Sequence, residues 1–154
     1  MSKRQIMLYL GRVRRKSITV FLSPLTQSNV TKFLGVYLEE HLTWKHHINI
    51  VCKQIAKSVG ILSRTRFYLS CKTKLILYYT LIYPYITYCN STWSSTYVSN
   101  LNRICYLQKR AVRAVTSSDY RAHTAPLLSK LKILDIFQVN TLDIAKFMAS
   151  GVVC

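Results

Sequence analysis

The stretch TKFLGVYLEEHLTWKHHINI, residues 31–50, changes its hydrophobic period halfway along. In its first half the apolar residues alternate, so that Leu34, Val36 and Leu38 share one face of an extended strand. From Trp44 onward they recur at spacings of three and four, which is the period of one helical face. The change of period predicts a short β unit joined directly to a helix.

The β unit is predicted to be a hairpin. The segments ITVFL at 18–22 and TKFLGVYL at 31–38 both have strand composition, and the residues between them are typical of turns and loops. Gly35 lies inside the second segment, where the missing side chain lets another backbone or a ligand approach closely. A β-bulge, or a glycine needed only for packing, is the alternative interpretation.

The first helix is predicted to begin at Thr43, which has a side chain suited to a helix N-cap. Its apolar positions lie on one side and are Trp44, Ile48, Val51, Ile55, Val59 and Leu62. Its basic positions lie on the opposite side and are His46, Lys53, Lys57 and Arg64. A solvated face is the alternative, but such faces usually mix charges and this segment contains no acid.

A second strongly amphipathic helix is predicted at about 99–115. Its apolar side consists of Leu101, Ile104, Cys105, Gln108, Ala111, Val112 and Val115. Its opposite side carries the basic residues Arg103, Lys109, Arg110 and Arg113, again without an acid. The two acid-free faces are candidate binding surfaces for a polyanion.

The remaining helices are marked by their start signals. Ser70 can cap the run CKTKLILYYTLIY, whose apolar residues on all sides indicate burial. Thr124, followed by Pro126, and Asp135 each begin a further helix, and the apolar side of the last one contains Ile136, Ile144 and Phe147. The predicted fold is mainly α (α+β), with a small N-terminal β-hairpin followed by a bundle of about four to five helices.

The composition points to an anionic partner. The chain has 154 residues, enough for one domain, and its 22 Lys and Arg against five Asp and Glu give a net charge of +17. Such an excess repels itself unless a partner neutralises it. Nucleic acid is the first candidate because phosphate contacts supply most non-specific binding, and an acidic membrane surface is the second.

Neither a membrane span nor a secreted protein is predicted. The run from Leu75 to Cys89 is largely apolar, but a span needs about 20 such residues, and this run contains Pro84 and several tyrosines. The five cysteines form no close pair and the four histidines lie in no metal-ligand spacing with them. We therefore expect reduced thiols and an intracellular protein, cytoplasmic or nuclear.

Residues for catalysis are sparse. Glu39 and Glu40 are the one pair of neighbouring carboxylates, and at a turn they should point different ways, so they cannot hold paired metal ions for phosphoryl transfer. The sequence has no glycine-rich phosphate loop and no G-x-S-x-G elbow. His123 could pair with Ser117 or Ser118 only if folding brought them together. No catalytic residue, metal site or cofactor is predicted.

Four blocks of the sequence carry a resemblance to a known family. They are TKFLGVYLEEHLTWKHHI, ILYYTLIYPYITYCNSTW, LNRICYLQKRAVRAVT and HTAPLLSKLKIL. Their order and spacing resemble the region that follows the polymerase core in reverse transcriptases of non-LTR retrotransposons, the jockey-like and related LINE elements. The resemblance covers the chain from about residue 18, or from residue 6 at its widest, to residue 148.

The resemblance implies a division of the chain and a role for its parts. Residues 1–42 would be the end of the palm with a primer-grip-like hairpin, and residues 43–154 the helical thumb and connection. Phe33, Leu34 and Gly35 would lie near the primer terminus. The basic helices would contact the backbone of an RNA–DNA or DNA duplex without reading its sequence.

The family's catalytic aspartates, which belong to a Y/F-A-D-D motif and an earlier palm strand, do not occur in this sequence. Magnesium would belong to that missing palm. We therefore expect a truncated C-terminal portion of an RNA-directed DNA polymerase that is no enzyme on its own, with nucleic acid and the palm of the intact protein as partners. An independent basic nucleic-acid-binding module and a membrane-surface protein are the alternatives.

Overall fold

The computed structural model describes residues 19–20, 23–24 and 28–151. Its elements are β1 Thr19–Val20, β2 Ser23–Pro24, β3 Val30–Phe33, β4 Val36–Glu39, α1 Lys45–Arg64, α2 Cys71–Leu81, α3 Tyr83–Thr87, α4 Asn90–Trp93, α5 Val98–Thr116, α6 Thr124–Leu131 and α7 Ile136–Gly151. The prediction of a mainly helical fold with a small β-hairpin is confirmed. The sequence period did not predict α3 and α4, which have only five and four residues.

The hairpin is formed within the segment that was predicted to be a single strand. β3 pairs with β4 in antiparallel register, with Phe33 opposite Val36, so the chain reverses at Leu34 and Gly35. Both turn residues have positive φ, 45° and 85°, as the tight turns that suit twisted hairpins require. The predicted pairing of 18–22 with 31–38 is therefore wrong; β1 pairs with β2 instead, and residues 18, 21 and 22 lie outside the described part.

The core lies between α1 and α5, which run parallel. Near their starts Thr96 Oγ1 donates to the Thr43 carbonyl at 2.9 Å, and near their ends Arg66 Nη2 donates to the Ser117 carbonyl at 2.7 Å. Every apolar position predicted for these two helices is buried, with Ile48, Ile55 and Ile104 fully inaccessible, and Gln108 is buried with them. The two predicted amphipathic patterns are confirmed because each helix buries one stripe against the other elements.

Some helix starts differ from the predictions. The N-cap of α1 is Trp44, with φ 60° and no side-chain cap bond, because the carboxylate of Glu39 instead accepts hydrogen bonds from the His46 N–H and the Thr43 hydroxyl. A carboxylate at this end also complements the helix dipole. Thr124 is the first residue of α6, and His123 is its N-cap.

Two predicted helix starts are confirmed. Ser70 Oγ accepts the N–H of Thr73 at 3.2 Å at the start of α2. Asp135 and Gln138 form a reciprocal pair before α7, with the Gln138 N–H donating to Asp135 Oδ1 at 2.8 Å and the Asp135 N–H donating to Gln138 Oε1 at 3.0 Å.

The tyrosine-rich run is divided at Pro84, as predicted, since α2 ends at Leu81 and the proline lies in the first turn of α3. The prediction that α2 is buried on all sides is wrong. Tyr78 is fully buried, but Ile76 is 62% exposed, because α2 contacts the other helices along one side only. Within the described residues, every helix is too short or too polar to cross a membrane.

α7 also buries fewer of its apolar side chains than its sequence predicts. Ile136 and Val139 lie in the core, whereas Ile144 is 44% exposed and Phe147 is 74% exposed. The helix therefore packs through its beginning, and its later apolar residues face outward.

Candidate nucleic-acid interface

The predicted basic residues of α1 all lie on its outer side. His46, Lys53, Lys57 and Arg64 are exposed, while the opposite stripe of the helix is in the core. The arrangement follows from the helical period. Successive residues of an α-helix are rotated by about 100°, so the apolar and the basic positions of this segment separate into two faces. None of the 20 residues of α1 is acidic, so no carboxylate within the helix offsets this charge.

The basic residues of α5 have more varied surroundings. Arg103, Lys109 and Arg110 are exposed, whereas Arg113 is half-buried. Arg113 Nε donates to the Ala122 carbonyl at 3.0 Å, which ties this guanidinium to the loop after the helix.

A groove of about 610 Å³ runs between α1 and α5 and brings residues from the two predicted faces together. Lys53 from α1 and Arg103 from α5 both line it. Arg103 Nη1 donates to Asn49 Oδ1 at 2.7 Å, across 54 residues of sequence. Because this partner is a neutral amide, the hydrogen bond holds the guanidinium in place and leaves its charge available to an anion.

The cysteine in this groove is not set up as a nucleophile. Burial raises the pKa of the Cys52 thiol, and the nearby charge of Arg103 opposes that rise only in part. The described cysteines Cys52, Cys71, Cys89 and Cys105 form no disulfide with one another, and Cys154 lies outside the described residues.

Two basic side chains, Lys74 and Arg66, have a structural role that the sequence did not reveal. Lys74 is only 3% exposed, and its Nζ donates to the Arg66 carbonyl at 3.1 Å and to Ser117 Oγ at 2.6 Å. Arg66 Nη2 in turn donates to the carbonyls of Ser117 and Ser118, both at 2.7 Å, at the carboxyl end of α5. Cations are favourable at this end of a helix, because its last carbonyls lack partners within the helix.

The residues predicted to lie near a primer terminus form the exposed turn of the hairpin. Phe33 is 62% exposed and Leu34 is 73% exposed. Tyr88 Oη donates to the Leu34 carbonyl at 2.6 Å and so fastens the turn to the segment after α3. The neighbour of Gly35 in the described residues is the ring of Tyr88 and not another backbone, and it lies at an ordinary van der Waals distance, 3.5 Å, from the position of a Cβ atom there.

A second cavity, of about 480 Å³, lies beneath this turn. It is bounded by Lys32, Gly35, Tyr37, His47, Ile50, Val51, Gln54, Pro84, Tyr85, Thr87 and Tyr88. Burial lowers the pKa of His47, and the neighbouring His46 adds to the effect. His47 Nδ1 accepts the N–H of Tyr37 at 3.4 Å, as the neutral imidazole can do.

The side chains that the structure describes do not form a magnesium site of the kind that polymerase chemistry needs. Among residues 28–150, whose side chains the structure describes, no three His, Cys, Asp or Glu side chains come together to hold a metal ion. The carboxylates serve local structure instead: Asp135 caps α7, and Asp143 accepts from Asn90 Nδ2 at 3.3 Å.

The possible catalytic pair of His123 with Ser117 or Ser118 is not found among the contacts that the structure describes. The hydroxyl of Ser117 bonds to Lys74 Nζ, and that of Ser118 bonds to Thr116 Oγ1 at 2.7 Å. Both serines therefore stabilise the end of α5.

Comparison with known proteins relates the chain to transposon polymerases. It is 29% identical over 118 residues to the probable RNA-directed DNA polymerase from transposon X-element of Drosophila melanogaster, which covers 74% of this chain and 13% of that protein. It is 30% identical over 99 residues to the probable RNA-directed DNA polymerase from transposon BS of the same organism, which covers 62% and 11%. The chain thus spans a small part of the length of these relatives. No model of a known protein family matches the sequence, and no solved structure matches the fold.

Proposed function

We propose that this chain, as a relative of the reverse transcriptases of non-LTR retrotransposons, binds the backbone of a nucleic-acid duplex through α1 and α5. The duplex would be an RNA–DNA hybrid or DNA, bound without base preference. The observation that carries the proposal is the groove that Lys53 and Arg103 line together. The hydrogen bond of Arg103 to the neutral amide of Asn49 supports the proposal, because this bond positions the guanidinium without neutralising its charge.

The charge distribution favours phosphate as the ligand. Neither α1 nor α5 contains an acidic residue, and the basic residues of both helices lie opposite their buried stripes. Lys and Arg that contact phosphates release counterions from the nucleic acid, and this release supplies sequence-independent affinity. Contacts of this kind position a duplex but do not read its bases.

In the intact polymerase this part would act as the thumb and connection. The catalytic carboxylates and their magnesium ions would come from the palm, which would also be the protein partner of the hairpin. The exposed turn at Phe33, Leu34 and Gly35 would lie near the primer terminus. The protein would act inside the cell, in the cytoplasm or nucleus, where its nucleic acid is found. This chain alone should not extend a primer, and template-dependent extension by it would contradict the assignment.

The duplex proposal is tested by the salt dependence of binding, measured by fluorescence anisotropy with a labelled blunt duplex. Plotted as log affinity against log salt, the parent should give a straight line with negative slope. Replacing Lys53 and Arg103 together by Ala should reduce the slope by roughly 0.9 for each lost contact to B-form DNA.

The matched control is Lys130→Ala with Lys146→Ala, which removes the same charge from exposed positions on α6 and α7. It should leave the slope nearly unchanged. An equal reduction in both double variants would mean that net charge alone governs binding, and the groove would lose its assigned role. Circular dichroism of each variant checks that it is folded.

A further inference from the structure

Two exposed tyrosines meet beside the groove. Tyr106 on α5 is 51% exposed, and Tyr120 in the following loop is 66% exposed. Their hydroxyl oxygens are 3.2 Å apart, so one hydroxyl donates a hydrogen bond to the other. Aromatic side chains that are exposed to this extent leave apolar surface in water, and a hydrogen bond between them keeps that surface in one place.

Each ring lies next to an arginine. The guanidinium carbon of Arg110 is 6.0 Å from the ring centroid of Tyr106, and that of Arg113 is 5.9 Å from the ring centroid of Tyr120. Arg113 is anchored by its bond to the Ala122 carbonyl. The four side chains therefore form one ordered patch, here called the tyrosine–arginine patch, consisting of Tyr106, Arg110, Arg113 and Tyr120.

The patch is basic and continuous with the groove. Tyr106 also lines the groove, alongside Lys53 and Arg103. Between residues 98 and 123 the one acidic residue is Asp119, and its carboxylate accepts the N–H of Tyr120 at 2.6 Å. A strand whose phosphates lie in the groove would thus bring its next nucleotides to the exposed rings.

We propose that the tyrosine–arginine patch binds unpaired nucleotides, a single-stranded extension of the duplex, by stacking their bases on Tyr106 and Tyr120. Bases inside a duplex have both faces covered by their neighbours, whereas unpaired bases offer a face to an aromatic ring. The flanking arginines add charge for the phosphates and can stack on bases themselves. This inference rests on the proposed duplex-binding function, because the groove would deliver the strand to the patch.

The first test needs no variant of the protein. Its affinity is measured by anisotropy for a blunt duplex, for the same duplex with an overhang of about eight nucleotides, and for one with an abasic overhang of equal length. The abasic overhang keeps the phosphates and removes the bases. We expect the overhang with bases to bind about tenfold more tightly than the blunt duplex, and the abasic overhang to lose most of that gain. Equal affinity for the two overhangs would overturn the proposal.

The second test assigns the gain to the patch. The variant Tyr120→Leu should lose most of the gain from the overhang while binding the blunt duplex as the parent does, because Tyr120 does not line the groove. Tyr120→Phe should keep most of it, because stacking needs the ring, and should lose only the part that depends on the hydrogen bond between the two hydroxyls. Tyr97→Leu, at a residue 72% exposed at the other end of α5, is the matched control and should keep it too. Loss of the gain in that control as well would remove the patch from the explanation.

The two proposals fail in different ways. If the blunt duplex binds with the expected salt slope but the overhang adds nothing, the patch proposal is wrong and the duplex proposal stands. If the blunt duplex shows no groove-dependent slope and only overhangs bind, the duplex proposal is wrong, and the groove does not deliver the strand to the patch.

Discussion

Gln108 on α5 donates a hydrogen bond of 2.9 Å to the hydroxyl of Tyr78 on α2, at a point where both side chains are inaccessible to water. The same amide group donates to the Leu134 carbonyl at 2.8 Å, and its oxygen accepts the Ile136 N–H at 3.1 Å. One buried side chain thus joins α2, α5 and the start of α7. Burial raises the pKa of Tyr78 far above its ordinary value, so this hydroxyl stays protonated.

Replacing Gln108 with Leu should destabilise the fold more than replacing Tyr78 with Phe. The first change leaves a carbonyl, an N–H and a hydroxyl without their partner, at a cost of about 1–3 kcal/mol for each buried group. The second leaves one amide N–H of Gln108 without an acceptor while the other keeps its bond to Leu134, so the cost should be that of a single buried group, about 1–3 kcal/mol. Urea unfolding followed by circular dichroism measures both values. Equal losses would show that the junction does not depend on Gln108.

Gly35 and Gly60 should respond to alanine in opposite directions. Gly35 has φ +85° in the hairpin turn, where an L-residue is strained, so Gly35→Ala should lower the free energy of unfolding by about 1–2 kcal/mol. Gly60 lies inside α1 with no atom within 4 Å of an added Cβ, so Gly60→Ala should raise it by about 0.5–1 kcal/mol. Thermal or urea unfolding of the two variants gives the signs, and a shared sign would contradict the assigned turn.

Lys74 should matter for stability, whereas a neighbouring lysine should not. Lys74→Ala removes two hydrogen bonds of a buried ammonium group, to the Arg66 carbonyl and the Ser117 hydroxyl, and hydrogen bonds to charged groups are worth about 1.5–3 kcal/mol. Lys72→Ala, at an exposed position of the same helix, should change the free energy of unfolding by less than about 0.5 kcal/mol. If the two variants unfold at the same urea concentration, the contact between α2 and the end of α5 is not a stabilising one.

Stability should fall as the pH is lowered, and His47 should contribute to the fall. Its pKa in the folded protein is below the ordinary value of 6.5, first because of burial and then because of His46. The unfolded chain therefore binds protons more readily than the folded one. The contribution of His47 is fully present above 6.5 and is lost as the pH falls from 6.5 toward the lower folded pKa.

The measurement is the free energy of unfolding at a series of pH values for the parent and His47→Gln. The variant should show a shallower decline below 6.5 than the parent. His41→Gln, at an exposed position, is the control and should follow the parent curve. A decline that is identical in the parent and His47→Gln would show that other groups account for all of it.

Sequence periodicity predicted α1 and α5 well because a helix satisfies its own backbone and has a fixed period. Their predicted apolar positions are buried, and their basic positions lie on the other side. The strands of the hairpin were predicted at the wrong positions for an equally simple reason. A two-residue turn puts Phe33 opposite Val36, so an odd and an even position share a face, and the alternation of apolar residues does not reveal where the chain reverses.

The sequence by itself determined α1 and α5, their apolar and basic faces and the net charge of +17, since each depends on residue type and local spacing. Only the tertiary structure decided which cations belong together. Lys53 and Arg103 share a groove because α1 and α5 pack in parallel, while Lys74 is held inside the fold by Ser117. Nothing in the local sequence separates these lysines, because the partners that give each its role come from segments far along the chain and meet it only on folding.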